Sequence, residues 1–144
     1  MRPIVAAVLL VACGATAALA GPIEDRQQLM KNTQAATKDA VALSRGTVPF
    51  DAAKAKAVAQ VYVDTAAKLP VLFPKGSETG SKTQADPKIW SDAAGFKAAA
   101  AKFAADAKTL QAASDQAAFT AALGDITKDC SACHGTYRVK VAPQ

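Results

Sequence analysis

The chain is 144 residues long, one domain's worth and enough for a four-helix core, and 51% of it is hydrophobic, although much of that fraction is alanine. Only 6% is aromatic, so the interior needs bulk from elsewhere. Seventeen basic against twelve acidic residues give a formal net charge of +5, and the lysines are spread along the chain as solvated helix faces, which excludes a nucleic-acid footprint.

Residues 1–20 read as a targeting segment. Arg2 supplies a short positive region, Ile4 to Ala12 an apolar stretch, and Ala18-Leu19-Ala20 an A-x-A-like cleavage site before Gly21. The segment is too short to span a bilayer. Sec export with cleavage after Ala20 is therefore the preferred expectation, leaving residues 21–144 as the mature domain. One basic and no acidic residue would be lost, so the balance becomes 16 minus 12, or +4. Leu10-Val11-Ala12-Cys13 also resembles a bacterial lipobox, in which Cys13 would be lipidated and anchor the protein to a membrane. The mass of the mature chain decides between the two forms.

From Pro22 to about Arg45 the pattern predicts a first helix, with Met30, Thr33, Thr37 and Val41 at three- and four-residue spacing and Gly46 as its stop. Glu24 and Asp25 suit the positive end of its dipole. Asp51 is a candidate N-cap for a second helix running to Leu69, with Val58, Tyr62, Thr65 and Leu69 on one stripe and Pro70 ending it. Pro70 to Ala85 reads as a long loop that crosses the bundle end or lines a site.

Asp86-Pro87 is a start signal for a third helix reaching about Ala113, with Trp90, Ala93, Phe96, Ala100, Phe103, Ala107 and Leu110 inward. Gly95 inside it costs about 1 kcal/mol relative to alanine. A close approach by a neighbouring helix or flat ligand would explain it, simple tolerance being the commoner case. Ser114-Asp115 cap a fourth helix with Phe119, Leu123, Ile126, Cys130, Cys133 and Tyr137 on one face, and Val139 to Gln144 are expected to fray. Four amphipathic segments without β alternation predict an all-α, antiparallel up-down-up-down four-helix bundle with a core cofactor.

Cys130-Ser131-Ala132-Cys133-His134 has the C-x-x-C-H form of a covalent attachment site for c-type haem. Two thiols three positions apart can add across two porphyrin vinyl groups while the adjacent imidazole reaches the iron. At 100° per residue Cys133 lies about 60° to one side of Cys130 and His134 about 40° to the other, so one helical turn holds all three. Porphyrin would also supply the missing core bulk. Zinc needs four ligands, and the chain has no other His and one other Cys. A thioredoxin-like pair would open a helix of a βαβ unit, and a disulfide at this spacing inside a helix is strained.

The stretch Cys130 to Arg138, the four-helix layout, Leu72-Phe73-Pro74-Lys75-Gly76-Ser77 and Ile89-Trp90 together resemble the class II cytochromes c, the cytochrome c′ family, over residues 22–140. Class I cytochromes c carry the motif near the N-terminus, the reverse of the order here. The resemblance implies one haem c per chain, often in a homodimer packed through the first two helices, with His134 as axial ligand. In cytochrome c′ the iron is usually five-coordinate beside a crowded apolar pocket, whereas c-556 relatives add a Met. The family's distal position, four residues after an Arg in the first helix, falls on Met30, which is either a sixth ligand or a pocket residue. Arg138 would sit on the proximal side, where it can meet exogenous ligands, or else it stabilises the last turn of the helix or pairs a propionate. Arg26 reads as a propionate partner or a surface charge.

The function expected is therefore an exported, periplasmic haem protein that carries single electrons or binds NO or CO, with redox partners left open. A filled sixth position favours electron transfer and an empty one gas binding. A small peroxidase is disfavoured because no second His exists to act as distal acid and base, so no enzyme activity is expected. A haem-free structural bundle is the remaining alternative.

Overall fold

The computed structural model describes residues 21–140; the segment 1–20, with its expected cleavage site and Cys13, and residues 141–144 lie outside the described residues. Helix α1 spans Pro22–Ser44, α2 Ala52–Lys68, α3 Lys88–Ser91, α4 Ala93–Ala112 and α5 Gln116–Tyr137. The long helices α1, α2, α4 and α5 close a ring of neighbours, α1 on α2, α2 on α4, α4 on α5 and α5 back on α1. This is the expected four-helix bundle. Among the described residues no helix is long and apolar enough to cross a membrane.

Local chemistry sets the helix ends. Pro22 opens α1, with Glu24 and Asp25 in its first turn. Gly46 adopts φ of 66°, and the amides of Gly46 and Thr47 return to Leu43 and Ala42 carbonyls, so the glycine stop is a left-handed cap. Asp51 and Asp115 accept from the Lys54 and Ala118 amides, both at 2.9 Å, as N-caps of α2 and α5.

Three boundaries differ from expectation. After Lys68 the chain tightens into a 3₁₀ turn over Leu69–Leu72 that accommodates Pro70, so the loop to Ala85 is structured at its start. The expected third helix is two pieces, broken at Asp92, whose backbone leaves helical space (φ −120°, ψ 53°) so that its side chain can cap α4 through the Gly95 amide at 3.1 Å. Tyr137 donates to the other Asp92 oxygen at 2.9 Å. A Cβ on Gly95 would stand 2.6 Å from the Tyr137 hydroxyl oxygen, so a close approach, not tolerance, explains the glycine. Finally, Val139 does not fray. Its amide binds the Gln84 carbonyl at 2.9 Å, and the Asp86 amide binds that of Tyr137 at 3.0 Å, pinning the end of α5 to the loop.

Among the described residues the apolar core falls into two clusters. One joins Ala36, Ala40 and Leu43 of α1 to Ala55, Ala59 and Tyr62 of α2, with Leu110, Phe119 and Ile126 from α4 and α5. The other, nearer the end of α5, is aromatic: Phe73 meets Trp90 and Phe96 edge-on with ring centres 5.9 and 5.0 Å apart, and Phe96 meets Tyr137 at 5.3 Å. Between the two lies the site.

Candidate haem cleft

On α5 the buried row Phe119, Leu123 and Ile126 continues directly into Cys130, Cys133 and Tyr137. Both cysteines are free thiols, half-buried. They open, with His134, onto a cleft of about 1010 Å³ between α1, α2, α4, α5 and the 72–85 loop. That is at the upper end of the range for cofactor sites. The α1 stripe read from the sequence, Met30, Thr33, Thr37 and Val41, lines the opposite wall, while the residues α1 commits to the bundle core are Ala36, Ala40 and Leu43. Arg26 and Arg138 line the cleft as well. All six residues singled out by sequence thus converge on one cavity.

The electrostatics suit the donor set. Burial pushes both thiols above the ordinary range, and the Asp129 carboxylate adds to this, so Cys130 and Cys133 stay protonated. His134 has surface exposed to water, yet the protein packed on its other side lowers its pKa, with Arg138 assisting. The imidazole is accordingly held neutral, the form that binds a metal. Two protonated thiols, one neutral imidazole and largely apolar walls fit an iron porphyrin attached by thioethers.

Arg26 is neither exposed nor free. It is 5% exposed, and its two terminal nitrogens give four hydrogen bonds: to the Leu72 carbonyl (3.1 Å), the Ser77 hydroxyl (3.0 Å) and carbonyl (2.7 Å), and the Thr83 hydroxyl (2.7 Å). Its guanidinium also lies 4.7 Å above the Phe73 ring centre. The expectation of a surface charge is therefore wrong: Arg26 is the clamp that holds the loop as a cleft wall. Arg138 donates through Nε to Gln84 at 2.8 Å, and through Nη2 to the same oxygen.

Three features escaped the sequence reading. Asp129 is buried within the α5 stripe, its side chain 7% exposed; Lys102 Nζ binds one oxygen at 2.6 Å and the other has no partner. Desolvation raises its pKa, whereas the shared Lys102 lowers that of Asp106. The one sequence signal was a charge three residues after Ile126 on an apolar face. On the α1–α2 side, Thr33 and Thr65 hydroxyls meet at 2.9 Å, and Tyr62 donates to Thr37 at 2.9 Å, giving the cleft a hydroxyl-bearing floor. Lastly, Lys31 and Lys38 of α1 line the same cleft as Lys82 of the loop, more than forty residues further on.

A four-helix bundle whose last helix presents C-x-x-C-H to a cleft of this size defines the bundle class of c-type cytochromes. The sequence model of the family described as Cytochrome C′ matches residues 21–138, and the chain belongs to that family, whose members bind one haem c covalently. Cytochrome c-556 of Agrobacterium tumefaciens (strain II Chrys) is 42% identical over 123 residues, covering 84% of this chain and 99% of its own. The structure of cytochrome c′ from Rhodopseudomonas palustris superposes with a TM-score of 0.80 at 36% identity, over 85% of this chain and 99% of that one. A mutant of cytochrome c prime from Alcaligenes xylosoxidans in complex with nitric oxide superposes at 0.75 with 34% identity, over 84% and 98%.

Proposed function

We propose that this chain is an exported haem protein in which Cys130 and Cys133 carry the porphyrin through thioether bonds and His134 is the axial iron ligand, serving single-electron transfer or the binding of NO or CO. The observation that carries this reading is the convergence of both thiols and the imidazole, on one turn of α5, at the wall of the 1010 Å³ cleft. When bound there, haem supplies a one-electron couple and an iron able to take a diatomic gas. The chain's own residues do the rest. Phe96 and Phe103 supply apolar wall, Arg26 fixes the loop side of the cleft, and burial holds His134 neutral. The nitric oxide complex of the Alcaligenes relative supports the gas-binding half of the reading.

Mass spectrometry of the tryptic peptide bearing Cys130 and Cys133 tests it. A haem adduct is expected in wild type and loss of covalent haem in the double alanine variant; an unmodified wild-type peptide refutes the attachment. The intact mass also distinguishes cleavage after Ala20, and so a soluble periplasmic protein, from lipidation at Cys13. Sedimentation tests the homodimer that the family relationship suggests.

A second reading has its own support, because Met30 lines the cleft and is the only methionine left after cleavage at Ala20. In it Met30 fills the sixth position and the protein is a low-spin electron carrier of the c-556 kind. EPR of the ferric protein separates the two: a purely high-spin signal excludes Met30 ligation, and a purely low-spin signal excludes an open site. Ready CO uptake by the ferrous protein marks an open or displaceable position.

A further inference from the structure

The chain has two tyrosines, and the fold gives them different surroundings. Tyr62 is fully buried in the bundle core, and its hydroxyl donates to Thr37 at 2.9 Å. Thr37 is no destination for a proton: its hydroxyl is neutral and already donates to the Thr33 carbonyl at 2.8 Å. Tyr137 is 8% exposed, lines the cleft and donates to a carboxylate, that of Asp92, at 2.9 Å. It follows Cys133 by four residues on α5, one turn and about 6 Å of rise along the same face. The pair is held from several sides. The Tyr137 carbonyl takes the Asp86 amide at 3.0 Å, and its ring meets Phe96 edge-on. Capping α4 occupies Asp92 Oδ1, 3.1 Å from the Gly95 amide, and leaves Oδ2 to the phenol. Burial and the Asp92 carboxylate raise the phenol's pKa, so the proton stays on Tyr137 at rest.

We propose that Tyr137 is a proton-coupled electron donor to an oxidised haem site, with Asp92 as the base that receives its proton. The inference rests on the haem reading, since the cofactor's cleft is what Tyr137 lines. The oxidant is hydrogen peroxide, which takes up two electrons and two protons in becoming two waters. A haem site that supplied both electrons is left two equivalents above ferric, and Tyr137 returns one of them. Its O–H bond breaks, the electron goes to the haem site, and the proton crosses the 2.9 Å hydrogen bond to Asp92 Oδ2. A neutral tyrosyl radical remains beside a protonated carboxyl. Losing the electron alone would leave a cation on a buried ring, which desolvation penalises; passing the proton to Asp92 leaves both side chains uncharged. Phe96 packs on the phenol with ring centres 5.3 Å apart, and a benzene ring gives up an electron far less readily, so the radical stays on Tyr137. An oxidising equivalent is thereby drawn off the covalently attached porphyrin. No external substrate is consumed, so this is protection and not turnover.

EPR of the ferric holoprotein, freeze-quenched after mixing with hydrogen peroxide, tests the proposal once haem content has been measured by absorbance. In wild type an organic radical signal is expected, and growth on ring-deuterated tyrosine should narrow it, a measurement that needs no variant. Tyr137→Phe keeps the ring and its packing and should abolish the tyrosyl signal, whereas Tyr62→Phe should leave it unchanged. Asp92→Asn keeps the size of the side chain and one acceptor oxygen while removing the base. It should slow formation of the signal by roughly tenfold or more, a positioned base being worth about 100-fold or more in a proton transfer. Tyr137→Phe should also lose its haem absorbance faster than wild type under excess peroxide. A signal that tyrosine deuteration does not narrow, or one that survives Tyr137→Phe, overturns the proposal. Equal rates in wild type and Asp92→Asn overturn it too and leave the pair as a structural pin. Haem-loaded wild type that yields no radical has the same consequence. A colourless wild-type protein refutes the haem reading instead.

Discussion

Gly95→Ala puts two effects of opposite sign in direct competition. Helix propensity alone favours alanine by about 1 kcal/mol. The structure opposes it, because the new methyl would sit 2.6 Å from the Tyr137 hydroxyl oxygen and against the Asp92 carboxylate that caps α4. Neither atom can retreat freely, since Tyr137 and Asp92 are hydrogen-bonded to each other at 2.9 Å. Overpacking of this kind costs about 1–3 kcal/mol, and loss of the cap about 1 kcal/mol more. Set against the propensity gain, the net is a destabilisation of roughly 1–3 kcal/mol, or several degrees in Tm for a domain of this size. Thermal unfolding of the ferric holoprotein followed at 222 nm measures it. Repeating the substitution in a Tyr137→Phe background, where the hydroxyl is gone, should recover part of the loss as a positive coupling between the sites. A Gly95→Ala protein that melts at or above the wild-type temperature would refute the reasoning.

Arg26→Met should destabilise by about 2–3 kcal/mol, because it strands four loop acceptors, though loop relaxation into water limits the cost; limited trypsinolysis at Lys75 and Lys82 should accelerate in parallel. Asp129 carries a pH signature. Its pKa is raised in the folded state by burial, so the native protein holds that proton longer, and the group's contribution to stability falls as pH rises from its ordinary carboxylate range through the raised value. Asp129→Asn should accordingly gain on wild type as pH rises above the ordinary carboxylate range in paired melts, and a gain that runs the other way would show the Lys102 contact outweighing desolvation. Asp51→Ala, which removes the α2 cap alone, should cost about 1 kcal/mol and leave the haem spectrum unchanged.

The parts legible in the sequence are those written locally. The cap residues Asp51 and Asp115, the Gly46 stop and the run from Phe119 to Tyr137 each depend on neighbours within a turn or two, and each stands where the pattern put it. Cys130, Cys133 and His134 share a face for the same reason. What could not be read depends on partners far along the chain. Asp92 breaks a helix its own neighbours would have continued, because Tyr137, forty-five residues on, holds its carboxylate. Arg26 looks like any surface arginine until the loop fifty residues later folds over it. Lys82 joins Lys31 and Lys38 of α1 at the cleft only once the loop folds over that helix.

The same division explains why a cleft exists at all. The α1 stripe Met30, Thr33, Thr37 and Val41 marks the cleft wall, while the α1 residues Ala36 and Ala40 join Ala55 and Ala59 of α2 in the bundle core. Small side chains let those helices approach closely, and Tyr62, Leu110, Phe119 and Ile126 fill the rest of that end. At the other end Phe73, Trp90, Phe96 and Tyr137 pack on each other and hold α4 and the loop together beside the last turns of α5. An alanine-rich seam at one end and an aromatic cluster at the other leave a gap between them that the side chains of this sequence do not fill. The low aromatic content is thus the complement of the cofactor: the bulk missing from the protein's interior is the bulk the porphyrin brings.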